Sequence, residues 1–107
     1  MANNYKNAKA DLSSTGNTTI YTCPTATQSI IKSILISNDS GSSDTLDITL
    51  LNSASAIFSL FKAKSVASNT TVELLSQPLI IEEGEILKAQ ATTADRLHII
   101  VSFLEVN

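Results

Sequence analysis

Apolar and polar residues alternate along most of this chain with a period of two. Such a period places successive side chains on opposite faces of a strand, so the pattern predicts strands rather than helices. Clusters of Ser, Thr, Asn, Asp and Gly separate the alternating segments and predict turns. The predicted strands, about eight in number, cover residues 8–12, 18–22, 29–37, 46–50, 58–60, 70–75, 86–91 and 97–106. In the third strand we expect Ile30, Ile34 and Ile36 to share one face.

The segment 50–67 fits two structures. Its apolar residues Leu50, Ala54, Ile57 and Phe61 have the spacing of one helix face, and its alanines favour a helix. No capping box opens a helix here, however, and Phe58 and Leu60 fit a short strand. We therefore expect a strand.

Eight short strands in 107 residues predict a single all-β domain over residues 1–107, because the chain is too short for two hydrophobic cores. Strands of this number and spacing are typical of a β-sandwich, a jelly roll or a small barrel. Residues 1–11 are polar and are expected to form an N-terminal arm or an edge strand.

The composition excludes several classes of protein. A hydrophobic content of 43% is too high for a disordered chain. Seven basic residues against ten acidic ones give a net charge of -3, so nucleic-acid binding is not expected. The longest apolar runs are three residues, whereas a membrane helix needs about 20, so no membrane partner is expected. The polar N-terminus lacks the apolar segment of a signal peptide, and we expect folding in a cytoplasm.

Few residues offer catalytic or metal chemistry. A single cysteine, Cys23, forms neither an internal disulfide nor a multi-thiolate zinc site, and it has no basic partner in sequence. His98 lies between apolar neighbours, and no motif supplies it with a nucleophile or an orienting carboxylate. The acidic turn 82–85 is expected to be a solvated hairpin with its glycine at the tight position, and Asp39, Asp44 and Asp47 are likewise expected to bind no cation. We expect no enzyme activity, no cofactor and no metal.

The last predicted strand, 97–106, has apolar residues on both faces. Only one face of a sheet meets the core of a two-layer sandwich, so the second apolar face needs another covering surface. We expect the odd positions to fill the core. The other face, with His98, Ile100, Leu104 and Val106, is expected to be less buried and to lie at an interface with another subunit or a larger assembly.

Several segments together resemble small virion structural proteins of tailed bacteriophages. They are IYTCP at 20–24, IKSILISN at 31–38, VELL at 72–75, PLIIEEGEILKA at 78–89 and VSFLE at 101–105. The resemblance implies a jelly-roll-like β-sandwich and a capsid decoration (cement) protein, assembled in the host cytoplasm into the virion. It implies two partners, a second copy in a dimer or trimer and the major capsid protein. It supplies no catalytic or cofactor residue.

Two other functions remain open. The first is a tail, neck or host-adhesion component of the same virion. The second is a carbohydrate-binding module, which needs aromatic platforms for sugar rings. The aromatic residues available are Tyr5, Tyr21, Phe58, Phe61 and Phe103, and the phenylalanines are expected to lie in the core.

Overall fold

A computed structural model describes residues 3–107 and shows nine strands and no helix in that part of the chain. The strands are β1 (Asn3–Asp11), β2 (Thr18–Thr22), β3 (Gln28–Asn38), β4 (Asp44–Leu51), β5 (Ile57–Val66), β6 (Thr70–Glu73), β7 (Leu79–Ile81), β8 (Ile86–Ala91) and β9 (Leu97–Val106). The all-β prediction is confirmed, and the ambiguous segment contains strand β5. Within the described residues, no helix is long and apolar enough to cross a membrane.

The strands form two antiparallel sheets. Sheet A has the order β1-β9-β3-β6, with β7 also paired to β3, and sheet B has the order β2-β8-β4-β5. Four sets of strand pairs are nested as in one long hairpin that turns back between β4 and β5. They are β1–β9, β2–β8, β3–β6/β7 and β4–β5. Two further pairs, β3–β9 and β4–β8, complete the sheets. Strand β1 lies at one edge of sheet A. Met1 and Ala2 of the segment 1–11 lie outside the described residues.

A bulge in β3 inverts the alternation of its side chains. The register against β9 shifts between Ile31 and Ser33, so Lys32 is an extra residue. Before the bulge the odd residue Ile31 is buried, and after it the even residues Ile34 and Ile36 are buried. The prediction that Ile30 shares their face is therefore wrong, because one inserted residue moves it to the opposite face.

Glu73 fills the gap that separates β6 from β7 along β3. One carboxylate oxygen, Oε2, accepts hydrogen bonds from the backbone N–H of Ile34 at 2.8 Å and of Leu75 at 3.2 Å. The other oxygen accepts a hydrogen bond from the Ser33 hydroxyl. These bonds hold the pKa of Glu73 below its ordinary value despite partial desolvation of the carboxyl. A side chain thus replaces part of the ladder that the bulge interrupts.

The core lies between the inner faces of the two sheets. Its largest fully buried side chains are Leu12, Ile31, Ile34, Ile36, Leu46, Ile48, Val66, Ile81, Leu87, Leu97, Ile99 and Val101. Each such Val, Ile or Leu contributes roughly 1.5–3 kcal/mol through removal of its apolar surface from water. The core is therefore filled without the apolar residues on the outer faces.

Candidate functional site

The outer face of sheet A, which points away from sheet B, carries the residues predicted for an interface. In β9 the odd residues from Leu97 to Glu105 are buried, while His98, Ile100, Leu104 and Val106 are exposed or half-buried. The structure therefore places the four residues on the less buried face. Their role as an interface stays a prediction.

Four apolar residues form a continuous row across this outer face. Tyr5 of β1 pairs with Leu104, Leu104 pairs with Ile30, and Ile30 pairs with Ile80 of β7. The ends of the row are open to solvent, since Tyr5 is 77% and Ile80 51% exposed. We call these four residues the sheet A row. Sequence alternation identified only Leu104, because the register of four strands decides which residues stand side by side.

A second row on the same face has opposite charges at its two ends. Lys9 of β1 pairs with Ile100, Ile100 pairs with Leu35, and Leu35 pairs with Glu73 of β6. A polar row with Asn7 and Ser102 separates this charged row from the sheet A row. The outer face of sheet A is thus apolar at one end and amphipathic in its middle.

Sheet B also has an apolar outer row, at the beginning of β5. Ile57 pairs with Leu51, and Leu51 pairs with Ile86. Ile57 is 68% exposed, and its neighbour Phe58 is 54% exposed. The prediction that the phenylalanines lie in the core is wrong for Phe58, because it lies near the open end of the edge strand β5. We call Ile57, Leu51 and Ile86 the sheet B row.

One polar cluster lies inside the sandwich. The Tyr21 hydroxyl donates a hydrogen bond to Oε2 of Glu105 at 2.6 Å and contacts the Ser29 hydroxyl. The other carboxylate oxygen of Glu105, Oε1, lies 2.8 Å from Nζ of Lys6. The hydrogen bond from Lys6, and then that from Tyr21, lower the pKa of Glu105. Burial, and then the bond to Glu105, hold the pKa of Tyr21 well above its ordinary value. The cluster ties β1, β2, β3 and β9 together. Among the described residues, every buried side-chain polar atom has a hydrogen-bond partner.

His98 has the carboxylate partners that its sequence neighbours did not predict. Its Nδ1 lies 2.5 Å from Oδ1 of Asp11 and its Nε2 lies 3.4 Å from Oδ2 of Asp39. No sequence motif supplies these carboxylates; strand pairing brings Asp11 of β1 opposite His98. The hydrogen bond with Asp11 raises the pKa of His98. Both ring nitrogens face carboxylates, which is the geometry of an ion-pairing imidazolium.

The remaining acidic candidates hold loops through backbone N–H groups. Glu83 accepts from Ala26 at 3.2 Å, Asp44 from Thr93 at 3.1 Å and Asp47 from Ala63 at 2.7 Å. In the acidic turn, Gly84 has a φ of 80°, as the prediction of a tight glycine position requires. Among residues 3–107, no group of three His, Cys, Asp or Glu side chains is arranged to hold a metal ion.

The Cys23 thiol is buried. Its Sγ lies 3.3 Å from the backbone carbonyl of Thr27 and donates a hydrogen bond to it. The thiol thus bridges the ends of the turn between β2 and β3.

Comparison with known proteins assigns no family to this arrangement. No protein-family model matches the chain, and no curated protein matches it.

Proposed function

We propose that this protein is a non-enzymatic structural protein of a tailed-phage virion, a capsid decoration (cement) protein that binds the outer shell and stabilises contacts between capsomers. The observation that carries the proposal is the presence of two apolar rows on opposite outer faces. A protein that cements a shell joins at least two surfaces, and each row offers one.

The two rows are surplus to folding. The inner faces of both sheets already form a filled core, whereas Tyr5, Ile80 and Ile57 are more than half exposed. Covering an exposed Ile side chain contributes roughly 1.5–3 kcal/mol, so each row offers binding energy to a partner. Neither row contains a charged residue.

We also infer that the sandwich is a jelly roll, the fold that the resemblance to virion proteins implies. Support comes from the nested pairs β1–β9, β2–β8, β3–β6/β7 and β4–β5, which describe one long hairpin rolled into two sheets. In this description β6 and β7 are two halves of one strand, interrupted where Glu73 bonds to the bulge of β3.

Copy number per particle tests the proposal and separates it from a tail or neck role. Quantitative mass spectrometry of purified particles of the encoding phage would compare this protein with the major capsid protein. A decoration protein is expected at one copy or more per capsomer. A handful of copies per particle would favour the tail or neck, and absence from the particle would reject a virion role.

Binding to the shell provides the second test. Recombinant protein is expected to co-sediment saturably with shells that lack it. Ile57→Asp removes an apolar contact of the sheet B row and is expected to reduce binding to the shells. The conservative variant Ile57→Val is expected to bind the shells as the wild type does. Wild-type protein that does not sediment with shells would contradict the proposal.

A further inference from the structure

We propose that two copies of this chain pack face to face through the outer faces of sheet A, related by a two-fold axis that runs along the strands. The inference goes beyond the proposed function, because such a dimer forms in solution without a capsid. It commits the sheet A row to a second copy and leaves the sheet B row for another partner.

The order of residues across sheet A supports this symmetry. A two-fold axis along the strands, lying between two stacked sheets, places each cross-strand row over the same row of the second copy in reverse order. The sheet A row is apolar along its whole length, so its reversal sets Tyr5 over Ile80 of the second copy and Leu104 over Ile30. Apolar residues then meet apolar residues at every position.

The charged row is self-complementary under the same rotation. It has a cation at its β1 end and a carboxylate at its β6 end, with Ile100 and Leu35 between them. Reversal sets Lys9 over Glu73 of the second copy, and the symmetry repeats this contact at the other end of the row. Each dimer would therefore contain two equivalent pairs of opposite charge around an apolar centre.

The charged residues His98, Asp11 and Lys32 of this face meet no like charge. Reversal of the row at the His98 end sets His98 over Ser37 of the second copy and Asp11 over Thr71. Lys32, at the bulge of β3, comes against the β9 strand near Ser102, where no basic residue stands.

A two-fold axis across the strands fits less well. Placed between the two rows, it sets Glu73 of one copy over Ile80 of the other, which desolvates a carboxylate against an apolar side chain. Placed through the sheet A row, it leaves the row of Lys9, Ile100 and Leu35 uncovered. Only the axis along the strands covers both rows and pairs their charges.

Sedimentation velocity of the isolated protein tests the surface, with two matched variants. Ile80→Asp and Ile57→Asp make the same change at exposed isoleucines on opposite sheets. Wild type is expected to be a dimer. Ile80→Asp is expected to weaken it by about tenfold or more, because the change removes the burial of a half-exposed isoleucine in both copies and adds a carboxylate that must be desolvated. Ile57→Asp is expected to leave the dimer unchanged. Circular dichroism checks that both variants keep the wild-type spectrum.

Three results would overturn the assignment: wild type that stays monomeric, wild type that forms a trimer, or a dimer that Ile57→Asp weakens and Ile80→Asp does not. If Ile80→Asp does not fold, Tyr5→Ser provides the same test at the other end of the row, with the same expected loss of dimer.

Zero-length carbodiimide cross-linking tests the axis. Lys9 and Glu73 of one copy lie on strands three spacings apart, about 14 Å, so such a link does not form within a molecule. In a mixture of unlabelled and ¹⁵N-labelled protein, mass spectrometry is expected to find Lys9 joined to Glu73 between a light and a heavy peptide. A wild-type dimer in which Lys9 links only to other carboxylates would overturn the axis.

The two proposals fail separately. A dimer that does not bind shells keeps this inference and rejects the proposed function, whereas a monomer that binds shells does the reverse.

Discussion

Replacement of Tyr21 by phenylalanine tests the energetics of the buried polar cluster. The substitution keeps the ring and its contact with Phe103, whose centroid lies 4.2 Å away, and removes only the hydroxyl. The lost hydrogen bond, 2.6 Å long, ends on the carboxylate of Glu105, which is 4% exposed. A hydrogen bond to a charged group contributes about 1.5–3 kcal/mol, and we expect Tyr21→Phe to lower the free energy of unfolding by that amount at neutral pH.

The destabilisation caused by Tyr21→Phe should be smaller in acid than at neutral pH. The folded-state pKa of Glu105 is lowered from 4.5, so its contribution to stability is present above that value and disappears as the pH falls through the lower folded value. Below the folded-state pKa of Glu105, a neutral carboxyl leaves a hydrogen bond of about 0.5–1.5 kcal/mol, and the difference in stability between wild type and Tyr21→Phe falls accordingly.

Urea unfolding followed by circular dichroism measures these differences at neutral pH and across an acid series, at one fixed protein concentration at which the protein is monomeric. Tyr5→Phe is the matched control, since Tyr5 is 77% exposed in the single chain and the same chemical change should alter the stability of the monomer by less than about 0.5 kcal/mol. A destabilisation by Tyr21→Phe that is no larger than that of Tyr5→Phe, or one that does not shrink in acid, would refute the role assigned to the hydroxyl.

Three further variants test other parts of the structure. The pKa of His98 is raised above 6.5 in the folded state, so its ion pair with Asp11 stabilises the fold below that value, and this stabilisation is lost as the pH rises through the folded-state pKa. The stabilisation is about 0.5 kcal/mol because the pair is exposed, and His98→Asn should abolish this pH dependence of stability in urea unfolding. Glu73→Ala removes the acceptor of the Ile34 amide and should destabilise by about 1–2 kcal/mol, with faster hydrogen exchange at that amide; unchanged exchange would contradict the contact. Ile100→Asp should keep the circular dichroism spectrum of the wild type and weaken the dimer in sedimentation, whereas loss of the β spectrum would show that Ile100 serves the core.

Hydrophobic alternation alone determined much of the secondary structure. Strands β2, β8 and β9 begin and end at the residues that the pattern predicted, because a strand with one buried face requires a period of two in its own residues. The same local rule identified the buried and the less buried face of β9. It failed at Ile30, since the polar Lys32 interrupts the even positions but does not by itself reveal that a bulge inserts one residue there.

Tertiary structure alone decided which residues meet. Alternation gives the face on which a side chain lies but not the partner strand or the register, and both depend on the packing of the whole chain. Tyr21 and Glu105 are 84 residues apart in sequence, and Asp11 and His98 are 87 apart, yet each pair is within hydrogen-bond distance. Likewise, Tyr5 and Ile80 have no local relation, and they lie in one apolar row only because β1, β9, β3 and β7 pair in this order and register.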